Sequence, residues 1–163
     1  QKKLVLYLPT FRDREAYIAE MLKTEFDGRE DYQLIISPHP LSKIQVDERF
    51  VPHGDFTAAD LIKLADVVIT DYSACAFEAA LLMKPLYFFT PDYDEYMQDR
   101  GINIDVREEF PSAVFDDASA LVAALDGDGY DMDALYRFKE KYMDNTKNNT
   151  QTLAKFVAML VKE

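Results

Sequence analysis

The chain of 163 residues carries 30 acidic and 18 basic residues, which gives a formal net charge of −12. This length suits one domain with a sizeable core, and the negative balance argues against nucleic acid as the main partner, since basic surfaces bind phosphate backbones. Cys75 is the single cysteine, so the sequence excludes an internal disulfide and a multi-cysteine zinc site and predicts a cytoplasmic location.

The ends of the chain and its hydropathy predict a part of a longer protein. Gln1 stands where an initiator methionine would be expected, no signal peptide opens the chain, and a predicted strand follows directly. No run of residues approaches the roughly 18 apolar residues that a membrane-spanning helix needs. We therefore expect residues 1–163 to form a single domain of a longer protein, without a transmembrane segment.

Strands and helices are predicted to alternate along the chain. The predicted strands are 4–8, 34–36, 67–69 and 86–89, with a loosely alternating stretch at 44–51 and a short stretch near Ile104 as further candidates. The predicted helices are 14–26, one that begins at Thr57 with Asp60 at the capping-box position, 73–83, 91–98, 118–125, 133–142 and a closing helix at 150–162. This order predicts a three-layer α/β, Rossmann-like fold with a mostly parallel sheet.

Residues 67–89 are the most informative segment, because they predict a buried strand, a polar turn, a helix and a second buried strand. Ser73, Ala74 and Cys75 are small residues at the predicted helix start. Unpaired backbone N–H groups and the helix dipole favour a phosphate there. Ser73 is equally well explained as a helix N-cap, and Cys75 as a packing residue, so the pattern alone leaves capping and ligand binding open.

Polar residues follow the predicted strands at the edge of the sheet where α/β proteins bind ligands. Arg12 follows the first strand, His39 the second, and Asp71 the strand before Ser73. Arg12, His39 and Lys43 near a helix start would form an anion pocket on an otherwise acidic protein. Without further information, His39 is also well explained as a turn residue between Pro38 and Pro40.

Five segments, taken together, resemble the CDP-glycerol glycerophosphotransferases, the family that includes the primases and polymerases of teichoic acid synthesis. In chain order they are Tyr7-Leu8-Pro9-Thr10-Phe11-Arg12, His39-Pro40, Ile69-Thr70-Asp71-Tyr72-Ser73, Lys84-Pro85 and Asp92-Tyr93-Asp94-Glu95-Tyr96. The ordered set is more specific than any one of its members, since a lone His-Pro pair is common.

The resemblance implies that the chain is the C-terminal, donor-binding half of a GT-B type enzyme, in which two Rossmann-like halves face each other across a cleft. Family members transfer glycerol phosphate from CDP-glycerol to a hydroxyl of a lipid-linked acceptor and release CMP. Related proteins use CDP-ribitol as the donor. By position, His39 is implied as the catalytic contact to the donor phosphates. The residues implied to bind the donor are Arg12, Asp71, Ser73, Ala74 and Glu78, the last through the cytidine ribose.

The resemblance also implies partners and a location. The acceptor would be bound by the other half of the enzyme, at the inner face of the cell membrane, so this chain would bind donor without turnover. No metal ion or other cofactor is implied, because the acidic residues do not cluster at metal-ligand spacing.

Other functions remain open. The chain has Ala74 where the family usually has a second serine, which leaves room for a non-catalytic nucleotide-sugar-binding module or a GT-B sugar transferase with another nucleotide donor. A response-regulator receiver is disfavoured, because residues 9–12 offer no paired acids for magnesium. Dinucleotide binding is disfavoured too, since no Gly-x-Gly-x-x-Gly follows a strand.

Overall fold

The computed structural model describes residues 2–127, 129–143 and 148–161. Its strands are β1 (Lys3–Leu8), β2 (Tyr32–Ile36), β3 (Val67–Thr70), β4 (Leu86–Phe89) and β5 (Val114–Phe115). Its α-helices are α1 (Glu15–Phe26), α2 (Ala58–Leu64), α3 (Cys75–Leu81), α4 (Tyr93–Asp99), α5 (Val106–Glu109), α6 (Ala118–Asp126), α7 (Met132–Tyr142) and α8 (Asn149–Leu160).

The strands form one parallel sheet in the order β2-β1-β3-β4-β5. Helices cover both faces: α1 packs against α6 on one face, and α3 packs against α2 and α7 on the other. Uninterrupted apolar runs such as Leu86–Phe89, buried throughout, are typical of strands covered on both faces. The predicted three-layer α/β fold with a mostly parallel sheet is confirmed.

The direction in which successive strands are added to the sheet reverses at β1. From β1 the chain adds β2 on one side, then returns to add β3 on the other side of β1, where Leu8 lies beside Thr70. Crossovers that run in opposite directions leave a crevice at the carboxyl ends of the two strands, the usual ligand site of such sheets. The residues that follow β1 and β3 therefore face each other at this edge.

Local signals placed several helix ends correctly. The capping box of α2 is confirmed, because Thr57 Oγ1 accepts from the Asp60 N–H at 3.2 Å and Asp60 Oδ2 accepts from the Thr57 N–H at 3.2 Å. Helix α3 is shorter than the predicted 73–83, since Met83 takes the left-handed conformation with φ 52° and ends the helical path. The closing helix was predicted to reach Lys162, which lies outside the described residues.

Two predicted strands are wrong. Residues 44–51 contain a 3-10 turn, Glu48–Phe50, because the Asp47 side chain accepts from the Arg49 N–H at 2.9 Å and bends the backbone. The stretch near Ile104 is a loop before α5, where Asp105 accepts from the Arg107 N–H at 2.9 Å. The sheet gains its edge strand from β5 instead, which the sequence analysis missed because it has only two residues.

Aromatic side chains fill the space between the sheet and helices α3 and α7. The Phe138 ring lies 5.0 Å from that of Phe110 and 5.5 Å from that of Phe77, and Phe110 lies 5.1 Å from Phe88 of β4. These centroid separations are in the range of favourable aromatic pairs. The cluster of Phe77, Phe88, Phe110 and Phe138 thus fixes α3 and its first turn against the sheet.

Helix α8 carries the predicted apolar stripe, but the stripe is exposed. Leu153, Phe156, Val157 and Leu160 retain 63%, 55%, 49% and 62% of their accessible surface.

Candidate functional site

Arg12 connects the carboxyl ends of three strands. Its guanidinium is buried, with Nη1 donating to Asp71 after β3 and Nε donating to Asp92 Oδ2 after β4 at 2.7 Å. Burial lowers the pKa of Arg12, but the Asp71 and Asp92 carboxylates raise it by more, so the net pKa lies above its ordinary value. Arg12 therefore keeps its charge and bridges two carboxylates.

Asp71 is the centre of the hydrogen bonds around this turn. Both of its oxygens accept from the Thr10 N–H at 3.0 Å, and Oδ1 also accepts from Thr10 Oγ1 at 2.5 Å and from the Tyr72 N–H at 2.6 Å. Together with the contact to Arg12, these hydrogen bonds engage both oxygens of the Asp71 carboxylate with groups of this chain. Asp71 thus holds the loop after β1 against the turn that leads to Ser73.

Two tyrosines extend this cluster. The rings of Tyr72 and Tyr96 are stacked at 3.7 Å with an interplanar angle of 13°, and Tyr72 Oη donates to Asp92 Oδ1 at 3.2 Å. Arg12 Cζ lies 5.3 Å from the centre of the Tyr72 ring, within cation–π range. Burial, followed by the Asp92 charge, raises the pKa of the Tyr72 hydroxyl, which therefore stays protonated at neutral pH.

A cavity of about 340 Å³ opens beside this cluster, at the carboxyl ends of β3 and β4. Its floor and walls are largely apolar or aromatic, with Ser73 and Asn103 among the few polar groups. The lining residues are Asp71, Tyr72, Ser73, Ala74, Ala76, Phe77, Phe88, Tyr96, Gly101, Ile102, Asn103, Ile104, Val106 and Phe138. A mostly apolar cavity of this size with few polar groups is typical of a small-molecule site.

The start of α3 forms one wall of this cavity. Ala74, which is exposed, is the residue just before the helix, and Ser73 Oγ accepts from the Cys75 N–H at 3.3 Å. The Ser73 hydroxyl therefore satisfies one backbone donor of the first turn, as a capping side chain does, and retains its own O–H to donate to a ligand. Capping and ligand binding by Ser73 are thus compatible.

His39 lies on the exposed loop after β2. Its Nδ1 accepts from the Leu41 N–H at 3.1 Å, and its ring is 6.0 Å from that of Phe11. In a neutral imidazole, an accepting Nδ1 leaves the proton on Nε2. His39 thus presents a donor N–H from Nε2.

The predicted site residues are only partly brought together. Asp71, Ser73 and Ala74 line the cavity, whereas the described lining does not include Arg12, His39 or the exposed Glu78. Arg12 lines an adjoining groove of about 470 Å³, and Tyr96 belongs to both spaces. Direct binding of phosphates by Arg12 and Asp71 remains a prediction, although the structure shows both side chains engaged with each other.

Comparison with known proteins decides the family. Residues 1–158 match the family described as CDP-Glycerol:Poly(glycerophosphate) glycerophosphotransferase. The chain belongs to this glycerophosphotransferase family. The resemblance seen in the sequence is therefore confirmed over nearly the whole chain.

Relatives in this family are considerably longer than the chain. It is 33% identical over 153 residues to a teichoic acid glycerol-phosphate primase of Bacillus spizizenii, an alignment that covers 87% of this chain and 38% of that protein. It is 29% identical over 173 residues to a teichoic acid glycerol-phosphate primase of Bacillus subtilis, covering 99% and 45%. The chain thus spans less than half the length of these relatives.

Solved structures support the same fold. The wall teichoic acid polymerase TagF matches with a TM-score of 0.71 and 24% identity, over 99% of this chain and 44% of the polymerase chain. Another structure of this polymerase, from a crystal soaked with CDPG, matches with a TM-score of 0.67 and 24% identity over 99% of this chain and 43% of that one. At this identity the likeness establishes the architecture.

Several cavity residues of this family member were missed by sequence reasoning. Tyr96 is the last residue of one of the segments that carried the family resemblance, but the sequence suggested no role for it. Asn103 and Ile102 lie beside Ile104, where a short strand was wrongly predicted, and Phe77 follows the helix start as an ordinary apolar residue. These residues belong to α3, to α4 and to the loop that follows α4, and no local pattern reveals that the three segments line one cavity.

Neither a metal-binding cluster nor a membrane-spanning helix is found in the described part of this glycerophosphotransferase-family chain. Residues 2–127, 129–143 and 148–161 contain no group of three or more His, Cys, Asp or Glu side chains placed to hold a metal ion. Among the same residues, no helix combines the length and apolar character needed to cross a bilayer.

Proposed function

We propose that this chain binds the CDP-glycerol donor of a glycerophosphotransferase, with the cavity beside Ser73 as the nucleotide site. The observation that carries this proposal is the cavity of about 340 Å³, which opens at the start of α3 in a member of this family. Its apolar and aromatic walls suit the cytosine ring, and the hydrogen-bond donors at its edge suit a diphosphate. The acceptor substrate, the transfer reaction and a location at the membrane belong to the whole protein and are part of the proposal.

The polar groups at the start of α3 and the aromatic residues farther along the cavity bind different parts of the donor and so orient it. The diphosphate lies against Ser73 and Ala74, where the hydroxyl and the backbone amides of the first turn of α3 donate. The cytidine extends toward Phe77, Tyr96 and Asn103. The Asn103 amide offers both a donor and an acceptor, which matches the mixed hydrogen-bonding edge of cytosine. Glu78 is assigned to the ribose hydroxyls.

His39 supplies a donor to the phosphates through Nε2. When an acceptor hydroxyl attacks the β-phosphorus, negative charge develops on the departing CMP, and a hydrogen-bond donor at that position stabilises it. Arg12 and Asp71 act on the same site by holding the turn before Ser73, whether or not Arg12 also reaches a phosphate.

Calorimetric titration of the chain with CDP-glycerol, CDP-ribitol, CMP and a UDP-sugar tests the proposal. We expect CDP-glycerol to bind more tightly than CMP or the UDP-sugar, because the diphosphate and the cytosine are both recognised. Tighter binding of CDP-ribitol would identify ribitol, in place of glycerol, as the polyol of the donor and would still support the donor site. Preference for the UDP-sugar would indicate a sugar transferase, and absence of binding would contradict the proposed donor site in this chain.

We expect Ser73→Ala and His39→Ala each to weaken CDP-glycerol binding by about 1–3 kcal/mol, since each removes a hydrogen bond to a charged phosphate. The dissociation constants are to be measured by calorimetry. Matched controls are Ser112→Ala and His53→Ala, which change exposed residues outside the cavity lining and are expected to bind as the unaltered chain does. Equal affinities for all four variants would reject the two contacts.

Glu78→Gln tests the ribose contact. We expect the variant to weaken CMP binding by about 1 kcal/mol and to leave inorganic pyrophosphate unchanged, because only the nucleotide carries the ribose hydroxyls. Affinity for both ligands is measured by competition against CDP-glycerol, with Glu30→Gln, also exposed, as the control. A similar loss for pyrophosphate would reject the ribose role.

A further inference from the structure

Glu15 is, like Asp71, a buried acidic residue, with 4% of its surface exposed against 1% for Asp71. It begins α1, and its Oε1 accepts from Ser42 Oγ at 2.5 Å. Its other oxygen, Oε2, is buried and has no hydrogen-bond partner among the described residues. A buried carboxyl group with an unsatisfied oxygen costs free energy, so its presence calls for a compensating role.

Ser42 links this carboxyl group to the loop that carries His39. The Ser42 N–H donates to the His39 carbonyl at 2.8 Å, and Ser42 Oγ accepts from the Ile44 N–H at 3.1 Å. The same hydroxyl donates to Glu15. Ser42 therefore connects helix α1 to both sides of the turn, to His39 through its backbone N–H and to Glu15 and Ile44 through its hydroxyl.

The loop has few other means of holding a conformation. Residues 37–47 contain no strand or helix, so no ladder of backbone hydrogen bonds fixes them. Pro38 and Pro40 restrict the backbone on either side of His39, and the Leu41 N–H holds the imidazole through Nδ1 at 3.1 Å. The loop is anchored on one side by the Ser37 N–H, which donates to the Tyr7 carbonyl at 3.0 Å, and on the other by Ile44 and Val46, which pack against the core. Between these anchors, the hydrogen bond from Ser42 to Glu15 ties the turn to helix α1.

We propose that Glu15 and Ser42 are positioning residues for His39. The hydrogen bond between them holds the turn at residues 38–43 so that the free Nε2–H of His39 stays at the carboxyl edge of the sheet. This inference rests on the proposed function for the identity of the ligand that His39 meets. The holding of the turn itself is a property of the unliganded chain.

Amide hydrogen exchange of the unliganded chain tests the holding of the turn. Ser42→Ala removes the hydroxyl, and Glu15→Met removes the carboxyl group while keeping an unbranched side chain that fills the same space. We expect each change to lower the protection of the amides at positions 41 and 42 by about fivefold to tenfold, which corresponds to the loss of one hydrogen bond. The amide at position 44 loses its acceptor directly in Ser42→Ala, so its response tests the turn only in Glu15→Met. Protection of β1 and β3 should not change, and Ser42→Thr should restore the protection at the turn. Unchanged protection at the turn in both variants would overturn the inference.

Donor binding shows whether the turn acts through His39. Ser42→Ala should raise the dissociation constant of CDP-glycerol by about fivefold in the unaltered chain and leave it unchanged in a His39→Ala background. The same loss in both backgrounds would show that Ser42 acts on the fold alone and would overturn the positioning role. If the unaltered chain binds no donor, the proposed function fails, and hydrogen exchange still decides whether Glu15 and Ser42 hold His39.

Discussion

Arg12→Ala is expected to lower the free energy of unfolding by about 3–5 kcal/mol, because it leaves two buried carboxylates without their cation. Arg12 is 7% exposed and binds Asp71 and Asp92, which follow different strands. Its loss leaves negative charges close together in a site that water reaches poorly. Urea denaturation at neutral pH measures the change.

Arg14→Ala is the matched control for this prediction. Arg14 lies two residues away and pairs with Glu95 at 2.8 Å, but both side chains are 60% exposed. Exposed ion pairs contribute about 0–1 kcal/mol, so the stability of this variant should stay close to that of the unaltered chain. Similar stability losses for the two arginines would contradict the bridging role of Arg12. Full stability of Arg12→Ala with weakened donor binding would instead favour the phosphate contact that the sequence predicted.

Phe138→Ala is expected to lower the free energy of unfolding by about 3–5 kcal/mol. The side chain is 2% exposed and contacts Phe77 and Phe110 at the centre of the aromatic cluster. Its removal takes away a large apolar group and leaves a void that the surrounding rings can fill only partly. Thermal denaturation followed by circular dichroism provides the measurement.

Tyr136→Ala is the control on the same helix, since Tyr136 is 54% exposed and its truncation should change stability little. Phe138 also lines the proposed nucleotide cavity, so its truncation should enlarge that cavity and weaken CDP-glycerol binding in the fraction of chains that remain folded. A Phe138→Ala chain as stable as Tyr136→Ala would show that the cluster does not hold α7 to the sheet.

Two sets of buried contacts support the candidate site from below. The cavity wall is formed by aromatic packing beneath α3, and the turn before Ser73 is held by the ion pairs of Arg12. The side chains that carry these contacts, Phe138 and Arg12, are 2% and 7% exposed. We therefore expect mutations here to affect stability more than mutations at Ser73 or His39, which lie nearer the surface.

Sequence patterns predicted the parts of the fold that rest on local interactions. The buried strands were recognised from uninterrupted apolar runs, and the start of α2 from Thr57 and Asp60, which are three residues apart. The weak strand β5 was missed and residues 44–51 were misassigned. A two-residue strand leaves almost no pattern of its own. At residues 44–51 the loose alternation outweighed the Asp47 side chain, which accepts from the Arg49 N–H and bends the backbone into a 3-10 turn.

Part of the candidate site could also be predicted. The turn at Asp71 and Ser73 was identified because a polar turn between a buried strand and a helix start is a local feature with a known chemical consequence. Tyr96 and Asn103 could not be assigned roles in this way. Each is an ordinary surface residue in the sequence, and each becomes part of a cavity wall only when the segment after β4 packs beside α3.

By itself, the sequence determined the family, because five short motifs occur in a specific order along the chain. It also determined the alternation of strands and helices and the turn that carries Ser73, because these are encoded in residues that are neighbours along the chain. Only the tertiary structure decided that Arg12 bridges two carboxylates and that Glu15 reaches the His39 loop. The Arg12 contacts join residues 59 and 80 positions apart, and the Glu15 contact joins residues 27 apart. Charges of both signs are plentiful in this chain, so no spacing in the sequence specifies which pairs meet, and the order of the strands makes that choice.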